Sequence, residues 1–284
     1  NSCLEKVIAE KAQDLFLKVG ALPHMRVGGQ VLPIEDLREL TEAEMMVLAQ
    51  ELLGPKQMAL LDLNRSVDFA FSYVANNCRF RANAFFQQGH ISLVLRLLWK
   101  GVPDFDQLNL PPILRQVALE KSGIILIGGV VSSGKTTTLA AMINAMNKNV
   151  YRHILTVEDP VEYAHDDEKC LIQQREIGHD AHDFMSALKY VVRQSPDVIV
   201  IGEMRDAETF SFALSAAEVG RLVLATIHAQ SVPQIFDRVL GFFKPEHRDN
   251  ILRHFASNVT CLMVQKLLVG KEKGLIPAAE ILLG

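Results

Sequence analysis

The residues Gly129-Val-Val-Ser-Ser-Gly134-Lys135-Thr136 fit the spacing GxxxxGK[ST]. A loop of this kind points successive backbone N–H groups at phosphate oxygens, and the helix that begins at its end adds the positive end of its dipole. The lysine reaches the outer phosphates, and the hydroxyl that follows it binds Mg²⁺. Ser132, Ser133, Gly134, Lys135, Thr136 and Thr137 are therefore the candidate residues for binding ATP, with Thr136 as the Mg²⁺ ligand. A phosphate loop needs carboxylates nearby. The run Asp197-Val-Ile-Val-Ile-Gly202-Glu203 reads as a buried strand with Glu203 at its carboxyl end, the edge at which open α/β sheets bind ligands. Gly202 occupies the usual place of the acidic residue, so Glu203 is expected to polarise water or to hold the metal through water. Glu158-Asp159-Pro160-Val161-Glu162 follows another apolar run and suits a Mg²⁺–water site, with Glu158 and Glu162 as candidates. Thr226-Ile-His228 ends a further strand, which makes His228 a candidate sensor of the outer phosphate.

Other chemistry-bearing residues read differently. His179 and His182 have the i, i+3 spacing of a metal pair, but no third ligand accompanies them, and a solvated helix start is the simpler reading. Arg79 and Arg81 fall on one face of an alternating strand. In a monomer that is a solvated face; in a ring, arginine can neutralise phosphate charge from a neighbouring subunit. Cys3, Cys78, Cys170 and Cys261 contain no CxxC pair, so neither a zinc site nor a disulfide framework is expected.

The elements that position these groups can be read from pattern. The 284 residues are 49% hydrophobic and 22% charged, enough to bury a sizeable core and too ordered a composition for disorder. From residue 113 onward, apolar runs alternate with helical stretches: strands at 123–128, 153–157, 197–201 and 222–227, helices at 135–146, 182–194 and 207–219. Two more helices are expected near 233–240 and 245–264. This grammar predicts an α/β domain with a parallel sheet covered on both faces. Residues 1–99 read as a smaller α+β domain: an amphipathic helix over 4–19, a hairpin over 23–34 turning at Gly28-Gly29, a helix over 41–53 opened by the Thr41/Glu44 capping box, a short helix opened by Pro55, and strands at 68–75, 78–86 and 91–98. The Pro- and Gly-bearing segment 100–112 is the expected linker. The net charge of −4 argues against nucleic acid as a partner. No apolar run approaches the roughly 18 residues of a membrane span, and Glu5, Lys6 and Glu10 break any signal peptide, so direct membrane insertion is not expected. The natural chain is expected to extend at both ends.

These blocks together resemble the secretion ATPases of type IV pili and type II secretion, and among them the pilus retraction motors of the PilT/PilU kind. The resemblance rests on the phosphate loop, an acidic box His153–Tyr163, a Walker B block Pro196–Asp206 and a histidine box Gly220–His228. It also rests on Gln174-Arg-Glu-Ile-Gly178 and, in the first half, on Asp14-Leu-Phe-Leu, Pro23-His-Met-Arg-Val and Arg79-Phe-Arg-Ala-Asn-Ala-Phe85. It implies a RecA-like ATPase domain preceded by a PAS-like domain. It further implies a homo-hexamer that is cytoplasmic and recruited to the inner-membrane face of a pilus machine, with an inner-membrane platform protein and a paralogous pilus ATPase as partners. Glu203 and Glu162 become the carboxylates around water and Mg²⁺, His228 the box histidine, and Arg79 and Arg81 gain a role near the phosphates. The chain departs from the family at several places. Val130, Val131 and Ser132 replace the common Pro, Thr and Gly of the loop; Arg221 stands at a frequent histidine, and Phe16 at another. The family's C-terminal segment linked to retraction lies outside the sequence. A retraction motor is the leading expectation. A pilus-assembly or type II secretion ATPase is the alternative, although residues 229–260 lack the cysteines of the latter's zinc site. A weakly hydrolysing adaptor subunit is a further alternative.

Overall fold

The computed structural model describes residues 2–73, 78–98, 101–102, 104–270 and 275–284. The chain divides into two compact units, Asn1–Lys100 and Gly101–Gly284.

The first unit is built on six antiparallel strands: β1 (Asp14–Lys18), β2 (His24–Val27), β3 (Gln30–Pro33), β4 (Ser66–Tyr73), β5 (Cys78–Gln87) and β6 (His90–Leu98), in the order β3-β2-β1-β6-β5-β4. Helices α1 (Ser2–Ala9), α2 (Glu42–Leu52) and α3 (Pro55–Asn64) accompany the sheet. The capping box at Thr41 and Glu44 is present, as the sequence predicts. The helix expected over 4–19 is not: α1 ends at Ala9, Lys11 turns the chain with φ of 52°, and Asp14–Lys18 becomes a strand. Pairing decides this. β1 bonds to β2 on one side and β6 on the other, so its backbone is satisfied without a helix while Leu15 and Leu17 reach the core. Of the strand expected over 68–75, residues 74 and 75 lie outside the described residues.

The second unit carries seven strands: β7 (Gly123–Gly128), β8 (His153–Glu158), β9 (Leu171–Glu176), β10 (Val198–Ile201), β11 (Leu222–Ile227), β12 (Val259–Val269) and β13 (Leu275–Leu283). Their order is β13-β12-β7-β11-β10-β8-β9, and every pairing is parallel except β12 with β13, so the sheet is mixed. The helices are α4 (Ile113–Ala118), α5 (Lys135–Asn149), α6 (Phe184–Val191), α7 (Ala207–Glu218), α8 (Val232–Gly241) and α9 (Pro245–Asn258). Alternate strand residues feed two cores. Ile125, Ile127, Val198, Val200, Leu222 and Leu224 pack with α4 and α5; Ile124, Leu126, Ile199, Ile201, Val223 and Ala225 pack with α6, α7, α8 and α9. Each such Leu or Ile contributes about 1.5–3 kcal/mol by burial, and continuous apolar strands are the result of covering both faces.

Two expectations change here. The helix expected over 245–264 stops at Asn258, and the chain continues as β12 beside β7. Of the expected linker 100–112, residues 104–112 pack as part of the second unit: Phe105 and Leu110 are buried with α4 and α5, and Asp104 accepts from Asn144 and Lys148, while residues 100 and 103 lie outside the described residues.

Candidate phosphate and carboxylate site

β7 is fully buried and ends at Gly128, where the backbone turns into the loop. Gly129 has φ of 156°, Ser132 of 62° and Gly134 of 85°. Two of these are glycines; at Ser132 an L side chain bears the steric cost of the left-handed region. A Cβ on Gly129 would lie 2.2 Å from Ser133 Oγ, so the hydroxymethyl of Ser133 occupies the space left open by that glycine. Ser133 Oγ is buried and finds no hydrogen-bond partner among the described residues. Lys135, the first residue of α5, donates to the carbonyls of Gly129 at 3.0 Å and Val130 at 2.8 Å. Burial pushes the Lys135 ammonium down from its ordinary range, and the charges of Glu203 and Glu162 push it back up. Thr136 and Thr137 are half-buried in the first turn of α5, and Val131 stands 76% exposed at the loop's tip.

The carboxylates come from the carboxyl ends of β10 and β8, on the far side of β11 from β7. β10 delivers Glu203, whose Oε2 accepts from Arg205 Nε at 2.9 Å and Arg205 Nη2 at 2.8 Å, while Oε1 lies 3.1 Å from His228 Nε2 at the end of β11. Glu203 thus raises the Arg205 guanidinium above its usual range. Gly202 is packed tightly: a Cβ there would sit 3.3 Å from the Glu158 Cα and the Val157 carbonyl. A side chain at that position would require the end of β8 to give by a few tenths of an ångström. The Thr226 hydroxyl donates to the Gly202 carbonyl at 2.5 Å and ties β11 to the same turn.

Glu158 and Glu162 part company. Glu158 is buried, and its Oε1 accepts from Thr156 Oγ1 at 2.7 Å and Gln174 Nε2 at 3.0 Å. Burial pushes its carboxyl up from the ordinary range. The structure therefore engages Glu158 with β9 rather than with the loop, whereas Glu162 lies close enough to act on the Lys135 charge. The Asp159–Pro160 peptide between them is cis. The segment after it is anchored on α5: Tyr163 and Thr137 share a hydroxyl–hydroxyl bond of 3.0 Å, and Asn147 donates to the Asp166 carbonyl and accepts from the Glu168 and Cys170 N–H groups. Gln174 completes the anchor by donating to the Tyr163 carbonyl at 2.9 Å.

In the first unit, Arg79 and Arg81 share one half-buried face of β5, while Phe80, Ala82 and Ala84 enter the core. On that face Arg81 is in register with Arg96, and Arg96 with Asp14. The Asp14 carboxylate is buried between Arg26 at 2.9 Å and Arg96 at 2.8 Å. His179 pairs with Asp180 on the surface, and no group of three metal-ligating residues occurs among the described residues. No helix of the described residues is long and apolar enough to cross a membrane.

Sequence reasoning missed Gln265. It lies on β12, buried, where its Oε1 accepts from Thr138 Oγ1 at 2.7 Å and its Nε2 donates to the Ser133 carbonyl at 2.9 Å. The signal was present: Gln265 is the only polar residue between Cys261 and Val264 on one side and Leu267 and Leu268 on the other, apart from the adjacent Lys266.

A phosphate loop leaving an interior strand of a mostly parallel sheet, with carboxylates at the carboxyl ends of two further strands of that sheet, defines a P-loop protein of the α/β class. The chain belongs to the type II/IV secretion system protein family, whose pattern matches residues 1–272. It is 43% identical over 236 residues to the uncharacterized protein YggR of Escherichia coli K12, covering 83% of this chain and 72% of that one. It is 36% identical over 281 residues to the type IV pilus ATPase PilU of Pseudomonas aeruginosa, covering 99% of this chain and 73% of PilU. The crystal structure of the pilus retraction motor PilT with bound ADP superposes with a TM-score of 0.94 at 36% identity, covering 99% of this chain and 81% of that one.

Proposed function

We propose that this chain is an ATP-hydrolysing subunit of a homo-hexameric motor that drives pilus retraction and twitching motility. The reading is carried by Lys135 following β7 while Glu203 follows β10 and Glu162 follows β8, with the charges of both carboxylates acting on the Lys135 ammonium. The likeness to PilU and to ADP-bound PilT supports it. The first unit is then the PAS-like domain of this family and the second the RecA-like ATPase domain.

The residues present fit a nucleotide with its metal. Ser133 Oγ is an orphaned buried hydroxyl inside the loop, a group that a phosphate oxygen satisfies. Thr136, Glu162 and Glu203 are hard oxygen donors of the kind Mg²⁺ accepts, few in number and supplemented by water. Thr136, with Glu162 or Glu203 through water, would hold Mg²⁺, which would supply positive charge against the charge developing on the phosphates. The chain's own residues do the rest. The loop's N–H groups and Lys135 hold the β- and γ-phosphates. Glu203 orients the attacking water, held in place by Arg205 and His228. His228 lies close enough to Glu203 to report the state of the γ-phosphate to β11. Arg79 and Arg81 of a neighbouring subunit supply positive charge to the transferring phosphoryl group. The ring is cytoplasmic and acts on an inner-membrane platform protein, beside a paralogous pilus ATPase. Ser132 in the left-handed region favours slow turnover, and with it the adaptor reading.

ATP turnover by the assembled protein tests the proposal. Lys135→Ala and Glu203→Gln are expected to abolish turnover, with Glu203→Gln still binding nucleotide, while Glu158→Gln retains most of it. Wild-type turnover no higher than that of Lys135→Ala, despite nucleotide binding, would refute the motor and leave the adaptor.

A further inference from the structure

We infer that Gln265 is a positioning residue for phosphate binding: from β12 it holds the Ser133–Gly134 peptide so that the Gly134 N–H faces the phosphate. The inference rests on the proposed nucleotide site and adds to it a residue far away in sequence. Its basis is the geometry of one peptide unit. The Ser133–Gly134 bond is trans, since the one cis peptide among the described residues is Asp159–Pro160. In a trans unit the carbonyl and the following N–H point in opposite directions. Gln265 Nε2 draws the Ser133 carbonyl toward β12 at 2.9 Å. The Gly134 N–H is thereby turned away from β12 and into the loop. Were the unit to flip, a carbonyl oxygen would face the phosphate in place of a donor, and repulsion would replace attraction.

The amide is itself locked. Thr138 donates its hydroxyl to Gln265 Oε1 at 2.7 Å, and the Ser133 carbonyl can only accept, so one orientation of the side chain satisfies both. Thr138 and Ser133 flank the start of α5, so a single side chain grips the loop and its helix together. The fit is close at both glycines of the loop. A Cβ on Gly134 would lie 2.7 Å from Gln265 Nε2, and one on Gly129 would lie 2.8 Å from the Gln265 carbonyl. The loop thus rests on β12 through this residue along its length. A buried glutamine inside an apolar strand is otherwise a liability, because its amide must be paired in full.

The test measures binding of a fluorescent ADP analogue with Mg²⁺ to the full chain, together with kcat and KM for ATP. Gln265→Glu replaces the donor with an acceptor, and Gln265→Met removes both bonds at similar volume. Leu262→Val, in the core of the same strand, controls for general loss of packing. Both Gln265 variants are expected to weaken ADP binding by about tenfold or more, the scale of a lost buried hydrogen bond, with KM raised more than kcat falls. Acidification should restore binding in Gln265→Glu, because a protonated carboxyl donates to the Ser133 carbonyl, and should leave Gln265→Met unrescued. ADP affinities within twofold of wild type in both variants, or losses that follow thermal stability as in Leu262→Val, would overturn the inference. If Gln265→Glu does not fold, Gln265→Met decides alone. Wild-type protein that binds no ADP would instead refute the nucleotide site itself.

Discussion

At the scale of single residues, the phosphate loop carries a backbone cost at one position. Ser132 has φ of 62°, a conformation in which an L side chain costs about 1 kcal/mol relative to glycine. The side chain is exposed and makes no hydrogen bond that would offset this cost among those found at the loop. Ser132→Gly is therefore expected to stabilise the protein by up to about 1 kcal/mol and to raise ATP turnover, because the loop then reaches its binding conformation without strain. Thermal unfolding and steady-state ATPase assays check it; unchanged turnover would mean that the loop does not limit the rate. The carboxylates teach a related lesson. Glu158, Glu162 and Glu203 look alike in sequence, yet burial and two donors engage Glu158 inside the sheet, while Glu203 is held at the strand end by Arg205 and His228.

At the scale of elements, the segment 159–170 depends on α5 and β9 for its shape. The Asn147 side chain makes three hydrogen bonds to it and its carbonyl a fourth, and Gln174 both accepts from the His165 N–H and donates to the Tyr163 carbonyl. His165 is enclosed by this packing, and burial lowers its imidazole from 6.5 to about 4. The sign follows from which state takes the proton first. As pH falls through 6.5 the unfolded chain protonates at His165 while the folded chain does not, so stability present above 6.5 is lost progressively toward 4. The loss amounts to about 2 kcal/mol after allowance for the partial exposure of the ring. Urea unfolding at pH values on either side of 6.5 should show it, and His165→Gln should flatten this part of the profile. Because the segment carries Glu162 toward Lys135, acid loosening of it should also reduce nucleotide affinity.

At the scale of the whole molecule, the two units carry different parts of the proposed chemistry. The second holds Lys135, Glu162, Glu203 and His228; the first holds Arg79 and Arg81 on the half-buried face of its sheet. If those arginines serve a neighbouring subunit, defects in the two units must complement one another. Lys135→Ala and Arg81→Ala proteins, each expected to be inactive alone, should regain partial ATPase activity when co-assembled, because some interfaces then pair an intact loop with intact arginines. Absence of recovery in mixed oligomers confirmed by light scattering would refute a role for the arginines in the neighbouring subunit.

The sequence by itself determined the phosphate loop, the strands at 123–128 and 222–227, and the capping box at Thr41. These depend on short-range chemistry: glycine spacing, continuous apolar runs and a side chain that bonds three residues away. It also placed Arg79 and Arg81 on one face, because strand alternation is local. Only the tertiary structure decided the rest. Asp14–Lys18 is a strand because two partners bond to both of its edges, and 259–264 leaves its expected helix because β7 offers a place in the sheet. Glu158 and Glu162 separate because one is buried and accepts from Gln174 of β9, whereas the charge of the other acts on Lys135. Gln265 reaches the loop across 132 residues of chain, a distance over which no periodicity or motif carries information, and its role is visible only where β12 passes behind Ser133 and Thr138.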